Sequence, residues 1–84
     1  MTPLVWLFRR DSATIRIIQR DAEPGSEVVV LGSEGLRSRQ VFQTRTDADA
    51  FRAVLTTEFL GSGFVLAWTN VPASTPAAEE SEQF

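Results

Sequence analysis

The chain has 84 residues, a formal net charge of −3, and neither Cys nor His. This length corresponds to one domain with a small core. The absence of both residue types excludes disulfides, thiolate sites and imidazole-bound metals. Because small domains without such supports are commonly stabilised by oligomerisation, we expect a homodimer.

The net charge comes from one end of the chain. Residues 1–71 contain eight Arg and eight acidic residues, so the whole −3 comes from Glu79, Glu80 and Glu82. No Lys is present. Arg binds phosphate through paired hydrogen bonds and stacks on flat rings, so this bias is compatible with a function. A GC-rich coding bias produces the same composition.

The first residues are apolar and are followed by Arg9 and Arg10. A secretory signal has its positive charges before the apolar stretch, so this segment is predicted to be a strand. No apolar run reaches the roughly 18–20 residues that span a bilayer. We therefore expect a cytoplasmic protein without a membrane partner.

Runs rich in β-forming residues predict strands over 4–10 and 27–31, and alternating side chains predict strands over 13–20 and 36–43. The first two form a hairpin, and Pro24-Gly25 marks a turn before the third. On the second strand, Arg16 and Arg20 are predicted to lie opposite Ile15 and Ile17. On the fourth strand, one face is predicted to carry Arg37, Arg39, Val41 and Gln43, and the other Leu36, Ser38, Gln40 and Phe42.

The spacing then becomes helical, with an apolar stripe of Ala48, Phe51, Val54, Leu55 and Phe59. Thr46 is the predicted N-cap, Asp47 and Asp49 are assigned to the first turn, and Gly61 is assigned to the position after the helix. A fifth strand is predicted over 64–71, with Phe64, Leu66 and Trp68 on one face.

Residues 72–84 are rich in Pro, Ala, Ser, Thr and Glu and contain few of the large apolar side chains that a core buries. We predict a disordered segment, called the acidic tail below, following one domain over 1–71. The predicted class is α+β. Its element order is β-β-β-β-α-β, with an antiparallel sheet covered by the helix on one face.

Catalytic side chains are scarce. His, Cys, Lys and Tyr, which serve most often as bases and nucleophiles, are all absent. Neither glycine-containing turn has the spacing of a phosphate-binding loop. Helix capping accounts for Asp47 and Asp49 without a metal. We predict a non-enzymatic protein with no catalytic residue, metal site or cofactor.

The arginines suggest a binding surface. If the helix covers the apolar face of the sheet, the open face carries Arg16, Arg20, Arg37 and Arg39. Such a face holds single-stranded nucleic acid in several small domains, through phosphate contacts and base stacking, and Trp6 and Phe8 are the candidate stacking residues. Charged strand residues also discourage edge-to-edge aggregation, and aromatic residues such as Trp6 and Phe8 more often form core or dimer contacts than stacking surfaces.

The acidic tail carries a second candidate site. Glu79, Glu80, Glu82 and Phe84 resemble the acidic, aromatic-ended tails of bacterial and phage single-strand DNA-binding proteins, although Gln83 replaces their usual Pro. That resemblance implies docking into a protein partner. A plain solubilising tail has the same composition.

The domain resembles known families in pattern. The order of four strands followed by a helix is similar to that of PUR repeats and Whirly domains, which bind single strands and are often dimeric. A second similarity, to the later half of bacterial WGR domains, is carried by residues 31–35 and by Gln40, Phe42, Ala48, Phe51, Gly63 and Phe64. There Leu31-Gly32-Ser33 replaces the Trp-Gly-Arg signature.

These observations leave two functions open. The first is binding of single-stranded DNA or RNA by the arginine face. The second is a protein-interaction or self-associating module, whose open face or strand edge uses Val5, Leu7, Ile18 and Val41. The domain's neutral charge weakens the first, since binding to a phosphate backbone usually requires a basic surplus.

Overall fold

The computed structural model describes residues 2–72, which form one sheet and one helix. The elements are β1 (Leu4–Arg10), β2 (Ala13–Ala22), β3 (Gly25–Gly32), β4 (Gly35–Phe42), α1 (Arg45–Gly61) and β5 (Val65–Thr69). The five strands pair antiparallel in the order β4-β3-β2-β1-β5. The predicted α+β class and element order are confirmed.

The core lies between α1 and one side of the sheet, called the helix side. Alternate residues of β1, β2 and β3 point to this side, as period-two sequences require. Its buried apolar residues are Trp6, Phe8, Ile15, Ile17, Val28, Val30, Ala48 and Phe64. The other side, called the open face, has no helix over it among the described residues.

Both helix ends differ from the sequence prediction. Thr44, not Thr46, is the N-cap, and its hydroxyl accepts a hydrogen bond from the Asp47 amide at 3.1 Å. Thr and Asp recur at the same three-residue spacing, so the sequence offers two equivalent starts. Asp49 consequently lies beyond the first turn, where it accepts a hydrogen bond from Gln19 at 2.7 Å.

The helix also ends later than predicted, with Ser62 as its C-cap and Gly63 at φ +94°. Gly63 rather than Gly61 therefore provides the left-handed turn after the helix. Within the helix, the apolar stripe is confirmed for Ala48, Phe51, Leu55 and Phe59, which pack on the core. Val54 is exposed instead.

Two β-bulges change which residues share a face. Between β3 and β4, Val30 pairs with Ser38 and Leu31 pairs with Leu36, so Arg37 has no partner in the register. Between β1 and β5, the shift between Leu7 and Phe8 leaves Ala67 without a partner. An extra residue reverses the alternation beyond it. The residues that share a face on β4 and on β5 therefore differ from the prediction on either side of each bulge.

Candidate functional site

The open face carries a row of side chains that crosses all five strands at one level. The register places Trp68 beside Leu7, Leu7 beside Arg16, Arg16 beside Leu31, and Leu31 beside Leu36. We call these five residues the central row. At about 4.8 Å between strands, the row is ~19 Å long. It is an apolar strip with one guanidinium near its middle.

The two ends of the central row are the most exposed. Trp68 is 53% exposed and Leu36 65%, whereas Leu7 and Leu31 are half-buried. A second row of Val5, Ile18 and Val29 lies directly beside it. Val5 and Ile18 are half-buried and Val29 is buried, so the exposed apolar surface lies mainly at the two ends of the central row. Exposed apolar surface of this kind marks sites of interaction on soluble domains.

The open face is also basic, although residues 2–72 together are neutral. Its strand positions carry four arginines and one carboxylate, a balance of +4 − 1 = +3, and these residues are Arg9, Arg16, Arg20, Arg39 and Glu27. The other acidic residues of 2–72 lie in turns, on α1 or at the helix-side position of Asp21. The charge is therefore separated in space rather than absent.

Glu27 fixes two of the four arginines. Its carboxylate is buried, and it accepts hydrogen bonds from Arg20 Nε at 3.3 Å and from Arg39 Nε. The cross-strand pairing of Arg20 with Glu27 and of Val29 with Arg39 brings the three side chains together. Within residues 2–72, Arg16 forms no ion pair.

The same contacts lower the pKa of Glu27 below its ordinary value of 4.5, mainly through the hydrogen bond from Arg39, against the opposing effect of burial. A carboxylate with a lowered pKa in the folded state contributes stability above its unfolded pKa, and that stability is lost as the pH falls through the folded pKa.

We expect the free energy of unfolding of Glu27→Gln to fall less steeply with decreasing pH, below about pH 4.5, than that of the parent. Urea unfolding across this acidic range tests it, with Glu58→Gln as the matched change of charge. An unchanged slope in Glu27→Gln would contradict the ion pairing.

Arg37 does not belong to the open face, which corrects the prediction. Its Cδ lies 2.9 Å from the position that a Cβ on Gly32 would occupy, and Gly32 pairs with the helix-side residue Ile15. Arg37 instead lines a helix-side cleft of about 710 Å³ together with Phe59 and Phe64. The bulge explains the difference, because Arg37 is the extra residue.

Trp6 and Phe8, the predicted stacking residues, do not lie on the open face either. Trp6 is 9% exposed and lies under the Arg52 guanidinium, whose Cζ is 4.6 Å from the ring centroid. Phe8 is fully buried and packs edge-to-face on Phe59 at 5.7 Å. Base stacking requires an accessible ring face, so neither residue provides it. Both belong to the core.

The accessible aromatic residue is Trp68, which sequence reasoning had grouped with Phe64. No glycine or proline marks the bulge at Ala67, so the sequence contains no local signal that Trp68 and Leu66 lie on opposite faces. Arg9 was missed for a different reason. Alternation along β1 places it with Leu7 on the open face, and this pattern was present in the sequence.

Residues 2–72 contain neither a metal-suited cluster of side chains nor a helix able to cross a bilayer. This part of the chain has no cluster of three or more His, Cys, Asp or Glu side chains suited to a metal ion. It also has no helix of the length and apolarity that crossing a bilayer requires. The tail residues Glu79, Glu80, Glu82 and Phe84 lie outside the described residues.

Comparison with known proteins finds no matching family model, curated protein or solved structure. The resemblances to PUR, Whirly and WGR domains therefore remain predictions from the sequence pattern. The function has to be inferred from the side chains of the open face.

Proposed function

We propose that this chain is a non-enzymatic binding module whose open face binds an acidic protein segment bearing apolar side chains. The observation that carries the proposal is the central row, in which the Arg16 guanidinium, without an ion pair within residues 2–72, lies between two leucines, with the exposed Trp68 indole at one end. Trp and Arg are the residues most enriched at the energetic centres of protein interfaces. We expect it to act in the cytoplasm.

The charge of the open face favours an acidic partner over a second copy. Two such faces brought together would each contribute a net charge of +3. Glu27, the carboxylate among these strand residues, already accepts hydrogen bonds from Arg20 and Arg39 of its own face. Like charges facing each other across an interface cost several kcal/mol. A homodimer, if formed, is better made through the exposed edge strand β4, whose residues are nearly all solvent-accessible.

Single-stranded nucleic acid is the second candidate, and the +3 balance beside the Trp68 ring favours it. Three observations favour protein instead. Arg37 lies on the helix side, Trp6 and Phe8 are buried, and the central row is mainly leucine. Binding to single strands uses several stacked aromatic rings along a basic groove, whereas the open face offers one exposed aromatic ring among the described residues.

A peptide-display selection on the full chain tests the proposal. We expect the selected peptides to be enriched in Asp, Glu and aromatic or aliphatic residues and to shift amide signals of β1, β2 and β3. A titration with oligothymidylate runs in parallel. If the oligonucleotide binds with a steep salt dependence and acidic peptides do not bind, the nucleic-acid function replaces the proposed one.

Two substitutions in the central row should weaken binding of a selected peptide. Trp68→Ala removes the exposed ring and Arg16→Glu reverses the free charge, and each should raise the Kd about tenfold or more. Titration calorimetry at fixed salt measures this effect.

Matched controls come from outside the open face. Arg37→Glu makes the same change of charge on the helix side, and Leu60→Ala removes an exposed apolar side chain from α1. Both should leave the Kd within about twofold of the parent value. Equal losses in Arg16→Glu and Arg37→Glu would show that overall charge, rather than the open face, determines binding.

A further inference from the structure

We propose that the acidic tail of this same chain occupies the open face in the absence of a partner. This inference rests on the proposed function, because it names one ligand for the same surface. The tail contributes three carboxylates and no cation over residues 73–84, and the open face has a balance of +3. The tail also contains Phe84, a side chain suited to the apolar central row.

The position at which the chain leaves the sheet favours this contact. After β5, the side chain of Asn70 accepts a hydrogen bond from the Val5 amide and donates one to the Pro3 carbonyl, which fixes the chain beside the start of β1. Antiparallel pairing places the end of β2 at this same end of the sheet, with Arg20 facing Glu27. The tail therefore begins near the arginines that it would contact.

The connecting length is sufficient. Six residues lie between Pro72 and Glu79, and the seven steps from one to the other cover at most ~25 Å in an extended chain. Crossing from β5 to β4 requires four strand spacings, or ~19 Å. Glu79, Glu80 and Glu82 can thus reach Arg16, Arg20 and Arg39 without rearrangement of the sheet.

The helix side is the less favourable destination for the tail. At the end of the sheet where the chain exits, α1 begins at Arg45, and its first two turns carry Asp47 and Asp49. Together with the helix-side Asp21, these three carboxylates exceed the guanidinium groups of Arg45 and Arg52, so the net charge on this side repels the tail. Glu23 lies in the turn at this end, but on the open face here Arg20 and Arg39 outnumber the carboxylate of Glu27. A short tether gives an effective concentration in the millimolar range, so a weak contact is enough to hold the tail.

The absence of Cys makes a direct test possible. A nitroxide attached to Ser81→Cys in the full chain is the single label, and it broadens amide signals that lie close to it. We expect loss of intensity for open-face residues of β1, β2 and β3 at low salt, and retained intensity for α1. Half-molar salt should restore the signals because the contact is between charges.

The matched variant carries the same label with Glu79→Gln, Glu80→Gln and Glu82→Gln, and it should lose the broadening. A second sample mixes spin-labelled chains with isotope-enriched chains that carry no label. Broadening in this mixture reports contact between two chains, and broadening only in the singly labelled, enriched chain reports contact within one chain. Broadening only in that mixed sample, broadening centred on α1, or no broadening at all overturns the inference.

Display-selected peptides distinguish failure of this inference from failure of the proposed function. Removal of a competing tail should tighten peptide binding by the triple variant about tenfold for a tail affinity near 0.1 mM. Tight peptide binding without any label effect refutes tail docking alone. A label effect on the open face, with no peptide bound even by the triple variant, leaves tail docking in place and refutes a separate protein partner.

Discussion

Phe8→Ala should lower the free energy of unfolding by about 3–5 kcal/mol, the usual cost of emptying a buried aromatic site. Phe8 is fully buried on the helix side and contacts the ring of Phe59 edge-to-face at 5.7 Å. Domains of this size have total stabilities of roughly 5–15 kcal/mol, so the variant should be partly unfolded at 37 °C. Urea and thermal unfolding followed by circular dichroism measure the loss.

The matched control for Phe8→Ala is Leu36→Ala, which removes an apolar side chain that is 65% exposed on the open face. Its effect should stay within about 0.5 kcal/mol. The two substitutions together separate the covered side of the sheet from the uncovered side. A Phe8→Ala cost below about 1 kcal/mol, or equal costs in both variants, would contradict the assignment of the core.

Gly25→Ala should be the second strongly destabilising change, at about 3 kcal/mol, because of overpacking against backbone. A Cβ at Gly25 would lie 2.3 Å from the carbonyl oxygen of Gln43 and 2.7 Å from that of Phe42. Main-chain atoms cannot turn aside as a flexible side chain does, so β3 and the segment before α1 would have to separate. Chemical unfolding of the purified variant measures the effect.

Gly61→Ala is the control for Gly25→Ala, since nothing lies within 4 Å of its added Cβ and its φ is not left-handed. In the last turn of α1, alanine restricts the unfolded chain more than glycine and should stabilise by about 0.4–1 kcal/mol. The two glycines should thus give effects of opposite sign. Similar effects at both positions would show that the close approach at Gly25 does not limit packing.

Folding stability and ligand binding can be altered separately, because the core and the open face use different residues of the same strands. Trp6 and Phe8 stabilise the domain from the helix side, whereas Val5, Leu7 and Arg9 lie on the open face of β1. Trp68→Ala and Arg16→Glu should therefore alter binding with small effects on unfolding, and Phe8→Ala should alter both. This contrast provides a further check that the proposed surface is not structural.

The sequence by itself determined the class of fold and the apolar faces of β2 and α1. Period-two alternation in β2, and the three-to-four spacing of Ala48, Phe51 and Phe59, follow from the geometry of strands and helices and are local. The same local rule placed Arg16 and Arg20 away from Ile15 and Ile17, which the register confirms.

Only the tertiary structure decided which residues face the solvent together. It showed that α1 covers the side bearing Trp6 and Phe8. It also showed that Glu27 is shared by Arg20 and Arg39, contacts that depend on the register between neighbouring strands. The bulges at Arg37 and Ala67 moved one arginine off the open face and brought Trp68 onto it. A bulge is set by the partner strand, so alternation within a single strand cannot reveal it.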